Sequence, residues 1–217
     1  MNSGVKSYIK GCDVCQRIKH ETSKPVGLLQ PLFIPQGPWY SIGMDFIEGL
    51  PTSNNQNVIL VVVDRLKYVH FIALAHPYTA ARVASLFLHH VFKLHGMPSS
   101  IVSDKDTAFT SMFWEELFRQ QGVDLAMSSS YHPQSYGQTE VVNKSLEQYL
   151  RTFASDKPSL WVEWLPLAEY WFNTNYHVAI KLSPFEALYG YQPPRLMEFN
   201  YGTTRVDAVE DLLEQRQ

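Results

Sequence analysis

The apolar positions along the chain fall into two periods, and the switch between them outlines the fold. Residues 39–47, 58–63 and 68–74 are short runs rich in β-branched and aromatic side chains, and each predicts a strand. Asp64-Arg65-Leu66-Lys67 leaves room only for a turn, so the second and third runs predict a hairpin. The period then becomes helical. Thr79 is an N-cap for a helix with Val83, Leu86, Phe87, Val91 and Leu94 on one face, stopped by Gly96 and Pro98. Residues 99–103 predict a fourth strand ending at Asp104. Residues 111–121 predict a helix with Phe113, Trp114, Leu117 and Phe118 inward, and residues 123–127 a fifth strand.

The segment 128–138 (SSSYHPQSYGQ) is polar, holds Pro and Gly, and predicts a mobile loop. Thr139 then caps a helix reaching about residue 153. Its apolar stripe is Val142, Leu146, Tyr149, Leu150 and Phe153, and its other face carries Glu140, Lys144, Glu147 and Arg151. Residues 160–176 predict an aromatic-rich helix interrupted near Pro166. Ser183-Pro184-Phe185-Glu186 spells a capping box opening a short helix that ends at Gly190. The order β-β-β-α-β-α-β-α-α implies an α/β fold, a mixed five-stranded sheet with helices on both faces.

Composition adds the flanks and the exclusions. At 217 residues and 45% hydrophobic, the chain is long enough for one well-buried domain with extensions. No apolar run reaches membrane-spanning length, so no membrane partner is expected, and the first residues show no apolar signal region. Residues 4–20 read as a short basic helix with two cysteines, Cys12 and Cys15. Two cysteines exclude a disulfide framework and leave a redox dithiol, half a zinc site or two ordinary thiols. Residues 21–39 hold four prolines and read as an extended linker. The net charge of −3 argues against a nucleic-acid binder, although Lys6, Lys10, Arg17, Lys19 and Lys24 make the beginning of the chain locally basic.

Three carboxylates hold the candidate chemistry. Asp45 lies within a strand, Asp104 ends one, and Glu140 starts a helix. Singly, each has an ordinary explanation: the polar face of a strand, a polar turn, or a helix terminus that favours an anion. Together they can converge at one edge of the sheet. Clustered carboxylates resist joint ionisation unless divalent cations such as Mg²⁺ or Mn²⁺ neutralise them. Two such ions can activate an attacking oxygen and stabilise a leaving one.

The stretches GCDVCQRIK, WYSIGMDFIEGLP, VVVDRLKYVHFIAL, KLHGMPSSIVSDKDTAF, SSSYHPQSYGQTEVVNKSLEQYLR and LSPFEALYGYQPP resemble integrases of long-terminal-repeat retrotransposons, Ty3/Gypsy class, and are similar to the retroviral integrase catalytic core. The family's D, D-x35-E spacing is met, since 35 residues separate Asp104 and Glu140. The resemblance implies a ribonuclease H-like fold and a DDE-type polynucleotidyl transferase, an endonuclease and strand-joining enzyme. Asp45, Asp104 and Glu140 would be its catalytic residues and Mg²⁺ (or Mn²⁺) ligands. It further implies DNA contacts by Tyr136, Asn143 and Lys144. Tyr136 is equally readable as a loop aromatic, and Lys144 as a solvated helix lysine. The partners implied are element DNA ends, target DNA and further copies of the chain, and the implied location is the nucleus.

Cys12 and Cys15 match the second half of the family's His-His-Cys-Cys module, so zinc binding would require the histidine half, expected upstream. The organisation implied is a partial zinc-binding helical segment (1–20), a linker (21–38), the catalytic core (39–200) and the start of a C-terminal linker helix (201–217). The hairpin is one residue shorter than the family pattern VDR-L-S/T-K-Y, and the shortening is expected at the turn, with Val61 and Val63 on one face and Val62 on the other. The alternative reading is a catalytically inactive integrase relic that serves as a DNA- or protein-binding module.

Overall fold

The computed structural model describes residues 3–12, 36–127, 133–154, 157–194 and 209. Among them, β1 (Ser41–Ile47), β2 (Val58–Asp64), β3 (Val69–Leu74), β4 (Ser100–Ser103) and β5 (Asp124–Met127) form one sheet in the order β3-β2-β1-β4-β5. The first three strands pair antiparallel, and β4 and β5 add in parallel. This is the expected mixed, ribonuclease H-like sheet.

The short hairpin keeps its register. Lys67 takes a left-handed conformation (φ 72) and donates to the Asp64 carbonyl at 2.8 Å, while Asp64 N–H donates to the Tyr68 carbonyl at 2.8 Å. Val63 then faces Val69, and Val62 faces His70. Val61 and Val63 enter one core cluster with Val69 and Phe71, while Val62 enters the other with Ile72 and Leu74. The turn absorbs the shortening, as expected. The Asp64 carboxylate is wholly buried and accepts from Trp39 N–H (2.9 Å) and Leu66 N–H (3.0 Å), tying the entry of β1 to the hairpin. Burial pushes its pKa up, against the pull of these backbone donors.

Helices cover both faces. On one face, α2 (Ala80–Phe87) and α4 (Met112–Gln120) contribute Val83, Phe87, Trp114 and Phe118 to a cluster with Ile42, Met44, Leu60 and Val62. On the other, α5 (Pro133–Phe153) and α6 (Trp161–Thr174) contribute Val142, Leu146, Trp161, Leu165 and Phe172. A short α7 (Pro184–Tyr189) begins with the expected capping box and ends at left-handed Gly190. Thr79 and Ser111 cap α2 and α4. None of the helices is long and apolar enough to cross a membrane, among the described residues.

Several expectations are corrected. After α2 the chain makes a π-helical turn, Leu88–Phe92, before a last turn, α3 (Lys93–His95). The wider turn shifts the helical phase, so Leu94 is 60% exposed and His95 comes inward in its place. His95 stacks on Trp39 with ring centroids 3.8 Å apart, and its Nε2 meets His70 Nε2 at 2.9 Å. Phe113 and Phe153 lie at the margins of their stripes and are exposed. α6 runs through Pro166, which faces solvent in the second turn, while Trp161, Leu165, Ala168 and Phe172 hold the helix to the sheet.

α5 starts at Pro133, not at Thr139: proline's fixed φ suits a first helical position, and most of the expected loop is wound into helix. α1 (Ser3–Gly11) is shorter than the expected helix over 4–20 and ends before the half-buried Cys12. Cys15, most of the 21–38 linker and residues 128–132 lie outside the described residues. So does all of 201–217 except the helical Val209.

α6 also seals the edge of the sheet. Asn173 both accepts from Val69 N–H (2.9 Å) and donates to Val69 C=O (3.0 Å), and Glu169 accepts from Phe71 N–H at 2.8 Å. These bonds satisfy backbone groups that an edge strand would otherwise leave open.

Gly43 sets how closely α5 approaches β1. A Cβ at Gly43 would stand 2.9 Å from Thr139 Cγ2, and Thr139 is buried against it. Gly43→Ala is expected to destabilise the protein by about 1–3 kcal/mol through overpacking, and adding Thr139→Ser should restore most of that loss. Urea unfolding of the single and double variants measures this; equal losses in both would show that the contact does not set the approach.

Candidate active site

β1 and β4 run parallel, with Met44 opposite Ser103. One step further along both chains brings Asp45 beside Asp104, on the face covered by α5. Asp45 is 5% exposed. Its Oδ1 accepts from Phe46 N–H at 2.9 Å, and its Oδ2 accepts from Asn143 Nδ2 of α5 at 2.7 Å. Asp104 is half-buried just beyond β4 and accepts from Asp106 N–H at 3.0 Å. Burial raises the Asp104 pKa; the Asp106 N–H pulls it down, and the charges of Asp45, Asp106 and Glu48 push it further up.

The structure therefore gathers Asp45, Asp104 and Asn143. Glu140 stands apart. It is exposed, and its Oε1 accepts from Lys144 Nζ at 2.7 Å, one turn along the same helix. Among the described residues, no three His, Cys, Asp or Glu side chains are gathered to hold one metal ion. Asn143, expected to face DNA, turns its amide nitrogen to Asp45, and Lys144 pairs with Glu140. Tyr136 falls in the first turn of α5 and not in a loop. Cys12 is half-buried beside α1, and Cys15 lies outside the described residues.

Sequence reasoning missed Glu48, Asp106 and Tyr78. The Tyr78 hydroxyl donates to Glu48 Oε1 at 2.9 Å, with Asp106 Oδ2 at 3.3 Å. Glu48 follows Asp45 by three positions and Asp106 follows Asp104 by two, each on the loop leaving a strand of the pair. The strand-exit argument that singled out Asp104 applies equally to both.

The donor set suits a hard divalent cation. Two carboxylates lie side by side with further acidic groups near, and hard oxygen ligands select Mg²⁺ or Mn²⁺. Asn143 Oδ1 is buried and has no hydrogen-bond partner among the described residues, so it is an acceptor available to a donor brought in with a ligand.

The raised pKa of Asp104 has a consequence for stability. Its folded pKa lies above its unfolded value, so the cost of ionising it is absent below the unfolded pKa and grows as pH rises through the folded one. Asp104→Asn should therefore raise the thermal midpoint of the metal-free protein at neutral pH, and the advantage should vanish at acid pH. Thermal melts across pH test this; a variant less stable than wild type at neutral pH contradicts it.

No family model matches the chain. Among curated proteins it is similar to the Transposon Tf2-3 and Tf2-4 polyproteins of Schizosaccharomyces pombe, 35% identical over 190 residues and 87% of this chain. The match covers 14% of each relative, so the chain spans a small part of the curated relatives it matches. Among solved structures it is similar to a chain of the simian T-cell lymphotropic virus intasome in complex with PP2A regulatory subunit B56 gamma. There the TM-score is 0.63 at 20% identity, covering 94% of this chain and 72% of that one. The HTLV-2 integrase catalytic core domain in complex with magnesium, in its trimeric form, gives 0.56 at 18% identity, covering 70% and 97%. The BIV integrase catalytic core gives 0.53 at 23%, covering 68% and 92%. At these identities the structural likeness shows the fold.

Proposed function

We propose, because the chain belongs to the integrases of long-terminal-repeat retrotransposons, Ty3/Gypsy class, that it catalyses metal-dependent phosphoryl transfer on DNA. In this reading, water first trims the 3′ ends of element DNA, and the new 3′-hydroxyl then attacks a phosphodiester of target DNA in the nucleus. The observation that carries it is the parallel β1–β4 register, which sets Asp45 beside Asp104 toward the carboxyl ends of these two neighbouring strands, on the face covered by α5.

Asp45 and Asp104 would hold Mg²⁺ or Mn²⁺, and Glu140 would complete the set after leaving Lys144. A bound pair of such ions supplies Lewis acidity, favouring the deprotonated nucleophile and neutralising charge on the departing oxygen. Asn143 holds the Asp45 carboxylate in one orientation through its 2.7 Å bond. Lys144, once free of Glu140, would meet a DNA phosphate, and Tyr136 would stack on a base. The HTLV-2 core was solved with magnesium in both trimeric and dimeric forms. These structures support a divalent metal and self-association for this chain, and the DNA partner rests on the family.

The second reading, an inactive relic that binds DNA or protein, draws on the Glu140–Lys144 pair, which holds the third carboxylate away from the other two. A strand-cutting and strand-joining assay on labelled element-end DNA with Mg²⁺ or Mn²⁺ separates the two. Glu140→Gln is expected to lower the rate by more than the roughly 100-fold seen for losing an outer partner of a metal ligand, with the fold unchanged. Cutting that survives this substitution undiminished contradicts the enzyme reading.

A further inference from the structure

Two carboxylates outside the assigned set converge on one hydroxyl. Glu48 leaves β1 and Asp106 leaves β4, and the Tyr78 hydroxyl donates to the first at 2.9 Å with the second at 3.3 Å. A phenol carries one proton, so it makes one strong bond and shares a weaker one. Packing fixes the ring. Tyr78 lies 4.7 Å from Phe46, and Phe46 stacks on the fully buried Phe109 at 4.9 Å. The hydroxyl is thus held between the two loops that follow the carboxylate strands.

We propose that Tyr78 is a positioning residue for the metal-dependent reaction: its hydroxyl staples the loop leaving β1 to the loop leaving β4 and so keeps Asp45 and Asp104 set for divalent cations. The inference rests on the metal-dependent reading of those two residues. Without a donor between them, Glu48 and Asp106 repel each other. Asp106 cannot move alone, because its backbone N–H is the 3.0 Å donor to Asp104 Oδ1. Splaying the two loops therefore loosens Asp104 directly. The ring contributes through packing and the hydroxyl through the staple, so Tyr78→Phe removes the second and keeps the first.

The test is calorimetric titration of the full chain with Mn²⁺, alongside thermal melts without metal. Tyr78→Phe should weaken Mn²⁺ binding by about tenfold, the lower end for losing an outer hydrogen bond on a ligand set. Its melting midpoint should stay close to that of wild type. In a Glu48→Gln background, where the repulsion is gone and the glutamine amide can donate to Asp106, the same substitution should have little effect. Unchanged or tighter Mn²⁺ binding in Tyr78→Phe overturns the proposal, as does an equal loss in the Glu48→Gln background. A melting midpoint lowered as far as in Tyr78→Ala overturns it too, since the hydroxyl would then be a structural element of the fold. Asp104→Asn is the control. If it binds Mn²⁺ as wild type does, the metal reading itself fails and the inference with it; if it loses Mn²⁺, the Tyr78 result stands on its own.

Discussion

The parallel pairing of β1 with β4 is the constraint on which the rest of the site depends. Antiparallel strands leave a sheet at opposite ends, whereas parallel neighbours leave together. Asp45 and Asp104 meet because their strands run the same way in register, with Ile42 opposite Ile101 and Met44 opposite Ser103. A slip of one residue would turn one carboxylate to the opposite face. The register is held from both sides: Ile42, Met44 and Ile101 pack into one core, while Gly43 lets Thr139 seat on the other face.

Gathering charge in this way works against stability. Asp104 is held where burial and acidic neighbours both oppose its ionisation. The surroundings offset this with donors: Asn143 to Asp45, Asp106 N–H to Asp104, and Tyr78 to Glu48. Asn143 and Tyr78 reach in from segments distant in sequence, while Phe46 N–H and Asp106 N–H act from the carboxylates' own neighbours, so local and tertiary contacts together fix the carboxylates. Such a site is expected to be less stable when empty than its neutralised variants, the trade that arises where function needs charge in a poorly solvated place.

Much of the architecture was legible because it rests on local signals. The hairpin follows from a short polar turn between two β-branched runs, the α7 start from its capping box, and the carboxylate pair from one acid within a strand and one at a strand's end. What escaped depends on contacts distant in sequence or on a change of period. A π-helical turn moved His95 into the place expected for Leu94, and no local pattern announces such a turn. The polar stretch before Thr139 read as a loop, yet it is helical from Pro133. Tyr78 is an unremarked aromatic until the fold carries its hydroxyl to Glu48 and Asp106, 30 and 28 residues away.

The position of Glu140 shows how one helix can serve two ends. Thr139, beside it, is packed on Gly43, and Asn143, one turn later, is bonded to Asp45. Both contacts pin the backbone of α5 to the sheet. Glu140 therefore cannot approach the carboxylate pair by a shift of the helix without breaking them, and its remaining freedom is rotation of its own side chain. What opposes that rotation is the Glu140–Lys144 pair, in which both side chains are more than half exposed. Such pairs are worth at most about 1 kcal/mol. The third carboxylate thus rests against a low barrier beside two that are held fast. Under the proposed function, a phosphate drawn to Lys144 would release Glu140 in the same event, and arrival of the substrate would be coupled to completion of the ligand set.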